Sequence, residues 1–300
     1  MNNVIQTIQL SKKFRNISVL DKVDLCVPEG AIYGLLGPNG AGKSTTLQIL
    51  MNIHQASGGR AEIFGHDSQK ISPRDFTQIG YIAESQELPG WMTVEGYMAY
   101  LEPFYPNWDR ARATELLREF DLPPKRKLRH LSRGMHMKAT LASSLAYRPR
   151  LIVMDEPFSG LDSLVRDEVV ESLLVNAEGA SILICSHDLA EIESFASHIG
   201  YLDRGRLQFS EETASLGERF REIEITLDSP DPVVSPAWPA SWLNTKLSGR
   251  CVRFVETQFE REKTMAEIGR FFPKREQVAL NVMPLRSIFV TLAKASRKAA

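Results

Sequence analysis

The run Gly37-Pro38-Asn39-Gly40-Ala41-Gly42-Lys43-Ser44, followed by Thr45, constrains this chain more than any other feature. It stands between a short apolar run, Ala31–Leu36, and the segment Lys43–Asn52, where Leu47, Leu50 and Met51 recur at helical spacing. A continuous apolar run of that length predicts a strand buried on both faces. Strand, glycine turn and helix in that order make backbone N–H groups converge at a helix N-terminus, whose partial positive charge favours a phosphate. The pattern Gly-x4-Gly-Lys-Ser is met without exception. Gly37, Pro38, Asn39, Gly40, Ala41, Gly42, Lys43, Ser44 and Thr45 are therefore assigned to nucleotide phosphates. Lys43 is expected at the β- and γ-phosphates, and the Ser44 hydroxyl at Mg²⁺.

A second buried strand, Leu151-Ile152-Val153-Met154, ends in Asp155-Glu156. In a parallel sheet, ligands bind outside the carboxyl ends of the strands, so these two carboxylates belong beside the glycine turn. Asp155 is assigned to Mg²⁺ and Glu156 to polarising the attacking water.

Strands at 2–10, 19–27, 31–36, 151–154 and 181–186, with a hairpin from Ile199 closed near Arg204-Gly205, are read against helices at 43–52, 94–101, 108–120 and 134–147. That alternation predicts a mostly parallel sheet covered on both sides. Phe104–Trp108 is read as packing between helices, and the basic run Lys125–His130 as a solvated face. Past Gly217 the composition changes, and Asp228–Pro239 is polar and rich in proline. Strands at 223–227, 250–256 and 277–282 with helices at 260–272 and 285–295 form a small α/β appendage. Its candidate core is Val252, Phe254, Ile268, Phe271, Phe272, Val278, Leu280 and Ile288.

The 300 residues carry 36 Lys+Arg against 37 Asp+Glu, a balance unsuited to neutralising a nucleic acid backbone, and no nucleic acid partner is expected. No charge-free apolar stretch approaches the ~18 residues of a membrane span, and the first residues carry no secretory signal. The 3 cysteines show no metal or disulfide spacing. A cytoplasmic protein is expected.

In their order along residues 3–215, these motifs resemble the nucleotide-binding domain of the ABC superfamily. Leu131-Ser132-Arg133-Gly134-Met135 resembles the family's signature segment, Ser159-Gly160-Leu161-Asp162 its D-loop, and Ser186-His187-Asp188 the switch histidine. The resemblance implies a P-loop ATPase domain over 1–217, with a mostly parallel central sheet, an antiparallel β-subdomain and a helical subdomain at about 91–147. Residues 218–300 form the accessory domain.

It also implies roles. Lys43, Glu156 and His187 would be catalytic, and Phe14 would stack on adenine. Ser132 and Gly134 would contact the γ-phosphate of ATP held by a second ATPase subunit, in a homodimer or a heterodimer. A separate membrane permease would hold the protein at the inner face of the membrane, as the motor of an exporter. Two positions depart from the signature: Arg133 stands for a glycine and Met135 for a glutamine. The Q-loop glutamine is also replaced. Counting from Ile79-Gly80-Tyr81 puts Glu84 there, in contact with nucleotide and Mg²⁺, and leaves Gln86, two residues on, as the alternative. A GTPase reading fails for want of Asn-Lys-x-Asp, and a ribosome- or DNA-directed ATPase would carry a second cassette or a long coiled coil.

Overall fold

The computed structural model describes residues 2–299 apart from 85, 178 and 230–237, so most of the expected proline-rich boundary lies outside the described residues. The chain divides into two compact units, Met1–Ser210 and Glu211–Ala300.

In the first unit, β1 (Asn3–Phe14) pairs antiparallel with β2 (Ile17–Val23) and β3 (Cys26–Pro28). The single strand expected over 19–27 is thus two. The buried Thr7 hydroxyl explains the break: it donates to the Val23 carbonyl and accepts the Leu25 N–H, both at 2.8 Å, replacing ladder bonds. Then come β4 (Ile32–Leu36), α1 (Lys43–Leu50), β5 (Gly58–Ile63), β6 (His66–Asp67) and the short α2 (Pro73–Phe76). β5 and β6 complete an antiparallel sheet in the order β2-β1-β5-β6.

β7 (Ile79–Ile82) leads into the helices α3 (Val94–Leu101), α4 (Arg110–Glu119) and α5 (Arg133–Leu145). Each starts on a side-chain cap, from Thr93, Asp109 and Ser132 respectively, which satisfies an N–H that the helix cannot. Tyr105 stacks on Tyr147 at 3.9 Å with Trp108 beside it, so these two of the aromatic run pack, whereas Phe104 is exposed. β8 (Leu151–Asp155), α6 (Ser163–Asn176), β9 (Ser181–Ser186), β10 (His198–Asp203) and β11 (Arg206–Glu212) follow.

The central sheet has the order β11-β10-β4-β9-β8-β7, parallel from β10 to β7. Its register positions the site. Leu36 pairs with Ser186 and Asp155 with Cys185, so three strands release their chains at one edge. α1 is pinned there by Leu47, Ile49 and Leu50, all fully buried. Each such side chain contributes about 1.5–3 kcal/mol of burial.

The second unit contains α7 (Thr213–Arg219), β12 (Arg221–Leu227), β13 (Trp242–Ser248), β14 (Cys251–Glu256), α8 (Arg261–Phe271), β15 (Arg275–Val282) and α9 (Leu285–Ala299). Its antiparallel sheet has the order β13-β14-β12-β15. Ile223, Ile225, Val252 and Phe254 pack with Ile268 and Phe272 of the α8 region in one cluster. Val255, Met283 and Ile288 pack with Leu216 and Phe220 in another. This second cluster moves the boundary. A division after Gly217 would cut through α7 and separate Leu216 from Phe220, and the observed division falls at Ser210/Glu211.

Candidate functional site

The chain leaves β4, turns through Gly37–Gly42 and enters α1 without a side-chain cap. That leaves the first N–H groups of α1 free for an anion. Gly42 has φ 108°, and a Cβ there would lie 2.5 Å from the Leu20 side chain, so position 42 admits no side chain. Asn39, Gly40, Ala41 and Gly42 of the loop, with Lys43, Ser44 and Thr45, line a cavity of about 340 Å³ together with Val19, Glu84, Glu156, Ser159 and His187, whereas Gly37 and Pro38 do not line it.

Lys43 is almost fully buried. Its Nζ donates to the Gly37 carbonyl at 2.7 Å and lies 3.1 Å from Glu156 Oε1. The other Glu156 oxygen, Oε2, is 2.7 Å from His187 Nδ1 and accepts the His187 N–H at 3.3 Å. Glu156 thus sits between an ammonium and an imidazole. Its backbone is held at φ 47° by an N–H bond to the Cys185 carbonyl at 3.0 Å. A non-glycine residue in this left-handed region costs about 1–2 kcal/mol, which the sheet edge and the two side-chain partners offset. The hydrogen bond that His187 donates to Glu156 raises the His187 pKa, reinforced by the charges of Glu156 and Glu191 and opposed by burial and Lys43.

Asp155 shows what else the site accommodates. Its Oδ1 is buried and has no hydrogen-bond partner among the described residues, although Ser44 bonds to the same carboxylate. Burial raises its pKa, and the charges of Glu156 and Glu84 push the same way, against the Ser44 bond and Lys43. An orphaned buried oxygen in a crowd of carboxylates, with a hydroxyl alongside, fits a small hard cation. Among the described residues no group of three or more His, Cys, Asp and Glu side chains, this one included, is arranged to hold a metal by itself.

The remaining assignments fall elsewhere. Glu84 lines the phosphate cavity, whereas Gln86 lines only a second cavity of about 420 Å³. Ser132 caps α5 and opens onto that second cavity, and neither it nor Gly134 lines the phosphate cavity. Glu84, Glu156 and Ser159 form the shared wall. Phe14 also lies outside the phosphate cavity, at the exposed end of β1, with the His54 ring at 5.3 Å and Lys12 Nζ 4.7 Å from its centroid.

The sequence reading missed Val19, Arg133 and His136 as wall residues. Arg133 is the informative one. Its guanidinium lies against Gly160, close enough that a Cβ on Gly160 would meet it at 2.1 Å. The substituted signature position therefore touches the D-loop of its own chain. The departure from the family pattern at 133 was the available signal. His136 lines the same cavity one helical turn beyond Ser132, and burial lowers its pKa.

Comparison with known proteins agrees with this geometry. A family model described as ABC transporter matches residues 20–159. ABC transporter ATP-binding protein YtrB of Bacillus subtilis (strain 168) is 33% identical over 228 residues, covering 75% of this chain and 78% of that protein. Daunorubicin resistance ATP-binding protein DrrA2 of Streptomyces coeruleorubidus is 38% identical over 205 residues, covering 66% of this chain and 63% of that one. The dimeric post-hydrolysis structure of the ATP-binding cassette MJ0796, bound to ADP and Pi, superposes with a TM-score of 0.61 at 25% identity, covering 69% of this chain and 98% of that one. With its phosphate loop and paired carboxylates meeting at the carboxyl ends of neighbouring strands, this chain belongs to the ABC transporter family as an ATP-binding subunit, an ATPase cassette followed in the sequence by a second unit.

Proposed function

We propose that this ATPase powers an exporter whose permease is a separate chain, and that it works as a head-to-tail dimer of two copies at the inner face of the membrane. The separation of Ser132 from the phosphate loop supports the dimer: each nucleotide then takes its phosphate loop from one copy and its signature from the other. No helix among the described residues is long and apolar enough to cross a membrane, in keeping with a permease supplied by another chain. Daunorubicin resistance in the name of one relative supports the outward direction.

The observation that carries the catalytic reading is Glu156, fixed by Lys43 and His187 beside the phosphate loop. In this reading Lys43 leaves Glu156 for the β- and γ-phosphates. The freed carboxylate then accepts a proton from the attacking water, with His187 orienting it. Asp155 and Ser44, with Glu84 nearby, would hold Mg²⁺, which supplies positive charge to the phosphate oxygens. Phe14 offers its exposed face to adenine.

Glu156→Gln keeps the shape and removes the base. It should bind ATP, hydrolyse it about 10²–10⁴ times more slowly, and run on gel filtration as an ATP-dependent dimer. A variant that stays monomeric with ATP bound, or turns over at the wild-type rate, contradicts this function.

A further inference from the structure

The strongest unassigned site lies wholly within the second unit, between α9 and the face of the sheet that it covers. A cavity of about 700 Å³ opens there, within the range of small-ligand sites and about twice the phosphate cavity of the first unit. Lys246 of β13, Arg253 of β14, and Arg286 and Lys294 of α9 all line it. The two α9 cations are eight residues apart, on one helical face. Four cations from three elements meet a single lining carboxylate, Glu222, and that carboxylate is engaged by Arg253 at 2.6 Å.

Two other arginines of this unit are paired with carboxylates, Arg219 with Glu211 and Arg250 with Glu276. Among the described residues, no carboxylate lies within ion-pairing distance of Lys246, Arg286 or Lys294. Three like charges gathered without a counter-ion repel one another, and an anion relieves that repulsion.

The backbone at the cavity wall is irregular in the same place. The pairing of β13 with β14 slips between Leu243 and Lys246, and Asn244, within the slip, has φ 55° and lines the cavity. Bulges of this kind re-aim side chains and concentrate beside functional sites. Asn244 and Lys246, two residues apart on the strand, line the cavity together. Phe254, Val255, Met283 and Val290 supply an apolar wall, while Ser287 and Thr291 supply hydroxyls.

We propose that this cavity binds an anionic ligand consisting of a phosphate group on a small apolar body. Lys246, Arg286 and Lys294 neutralise the phosphate, and the apolar wall takes the body. Two sources share that chemistry, a soluble organic phosphate and the headgroup of an acidic phospholipid.

The test uses the full chain. Phenyl phosphate is titrated calorimetrically into the wild type, into Lys43→Ala, and into the double variant Lys246→Ala/Arg286→Ala. Co-sedimentation is run in parallel with vesicles of phosphatidylglycerol and phosphatidylcholine in equal parts, against phosphatidylcholine alone. Binding that survives Lys43→Ala and weakens about tenfold or more in the double variant places the ligand in this cavity. The double variant should keep its melting temperature and basal ATP hydrolysis. Phenyl phosphate binding marks a soluble ligand; binding to acidic vesicles alone marks a lipid headgroup. No saturable binding to either probe overturns the proposal. So does equal affinity of the double variant, or binding lost with Lys43→Ala.

Discussion

At the scale of single residues, Glu156 is the pivot, and its two neighbours report on it. With the His187 pKa raised by Glu156, the imidazolium–carboxylate pair is fully formed below the ordinary histidine value of about 6.5 and is lost as the pH climbs through the raised value. Stability from this pair is therefore present on the acid side and fades on the alkaline side. Glu156→Gln removes the main cause, so an NMR titration of the nucleotide-free protein should show the His187 pKa falling. An unchanged His187 pKa would mean that the hydrogen bond at 2.7 Å does not persist in solution.

Glu84 offers a second test at this scale, because it lines the phosphate cavity and Gln86 does not. Glu84→Ala should lower permease-stimulated hydrolysis severalfold and basal hydrolysis less, with Gln86→Ala nearly silent. The reverse ranking would pass the role to Gln86, whose buried Oε1 has no partner among the described residues. Lys43, Asp155 and Glu156 were assigned from the glycine turn and the end of a second buried strand, and His187 from the family resemblance; the structure brings Lys43, Glu156 and His187 into contact. The contact of Arg133 with Gly160 was not legible in the sequence, since it joins two segments that only the packing of α5 near α6 brings together.

At the scale of elements, Gly160 is sensitive through its backbone. Its φ of +67° penalises any side chain, whereas the Arg133 guanidinium, at the end of a flexible exposed side chain, can move aside at little cost. Gly160→Ala should cost about 1–2 kcal/mol in chemical denaturation. Adding Arg133→Ala should restore little of that loss. A large recovery in this double-mutant cycle would show that the guanidinium is held in place.

The elements that sequence reading missed have physical reasons in common. β5 opens on Gly58-Gly59-Arg60 and buries only Ala61 and Ile63, so its apolar alternation is too short to see. α6 buries only Val169 and Leu173 of fourteen residues, leaving no clear apolar stripe. β13 changes phase at its bulge. By contrast β4, β8 and β9 are nearly continuous buried runs, and those three carry the site.

At the scale of the whole molecule, the division at Ser210 sets where the chain can be cut. A chain ending at Ser210 should be soluble, bind ATP and melt cooperatively. One ending at Gly217 keeps Leu216 but loses Phe220, Val255, Met283 and Ile288, the residues that bury it, and should be more prone to aggregate. Light scattering on the two chains decides this, and the reverse order would return the boundary to Gly217. The accessory unit's core was largely legible: of the eight residues expected there, Val252, Phe254, Ile268, Phe272 and Ile288 are buried in its two clusters. Its boundary was not, because α7 lies before the change in composition and joins the later core only in three dimensions.

The internal counter-ion of Lys43 also bears on which anions the loop takes. An ammonium already matched by Glu156 and by the Gly37 carbonyl presents little free charge to a passing inorganic phosphate. Such an ion must break that match for the sake of a few bonds. A triphosphate engages many backbone donors at once and carries enough charge to draw the ammonium away. On that balance the pairing of Lys43 favours a chain of phosphates over a single phosphate ion.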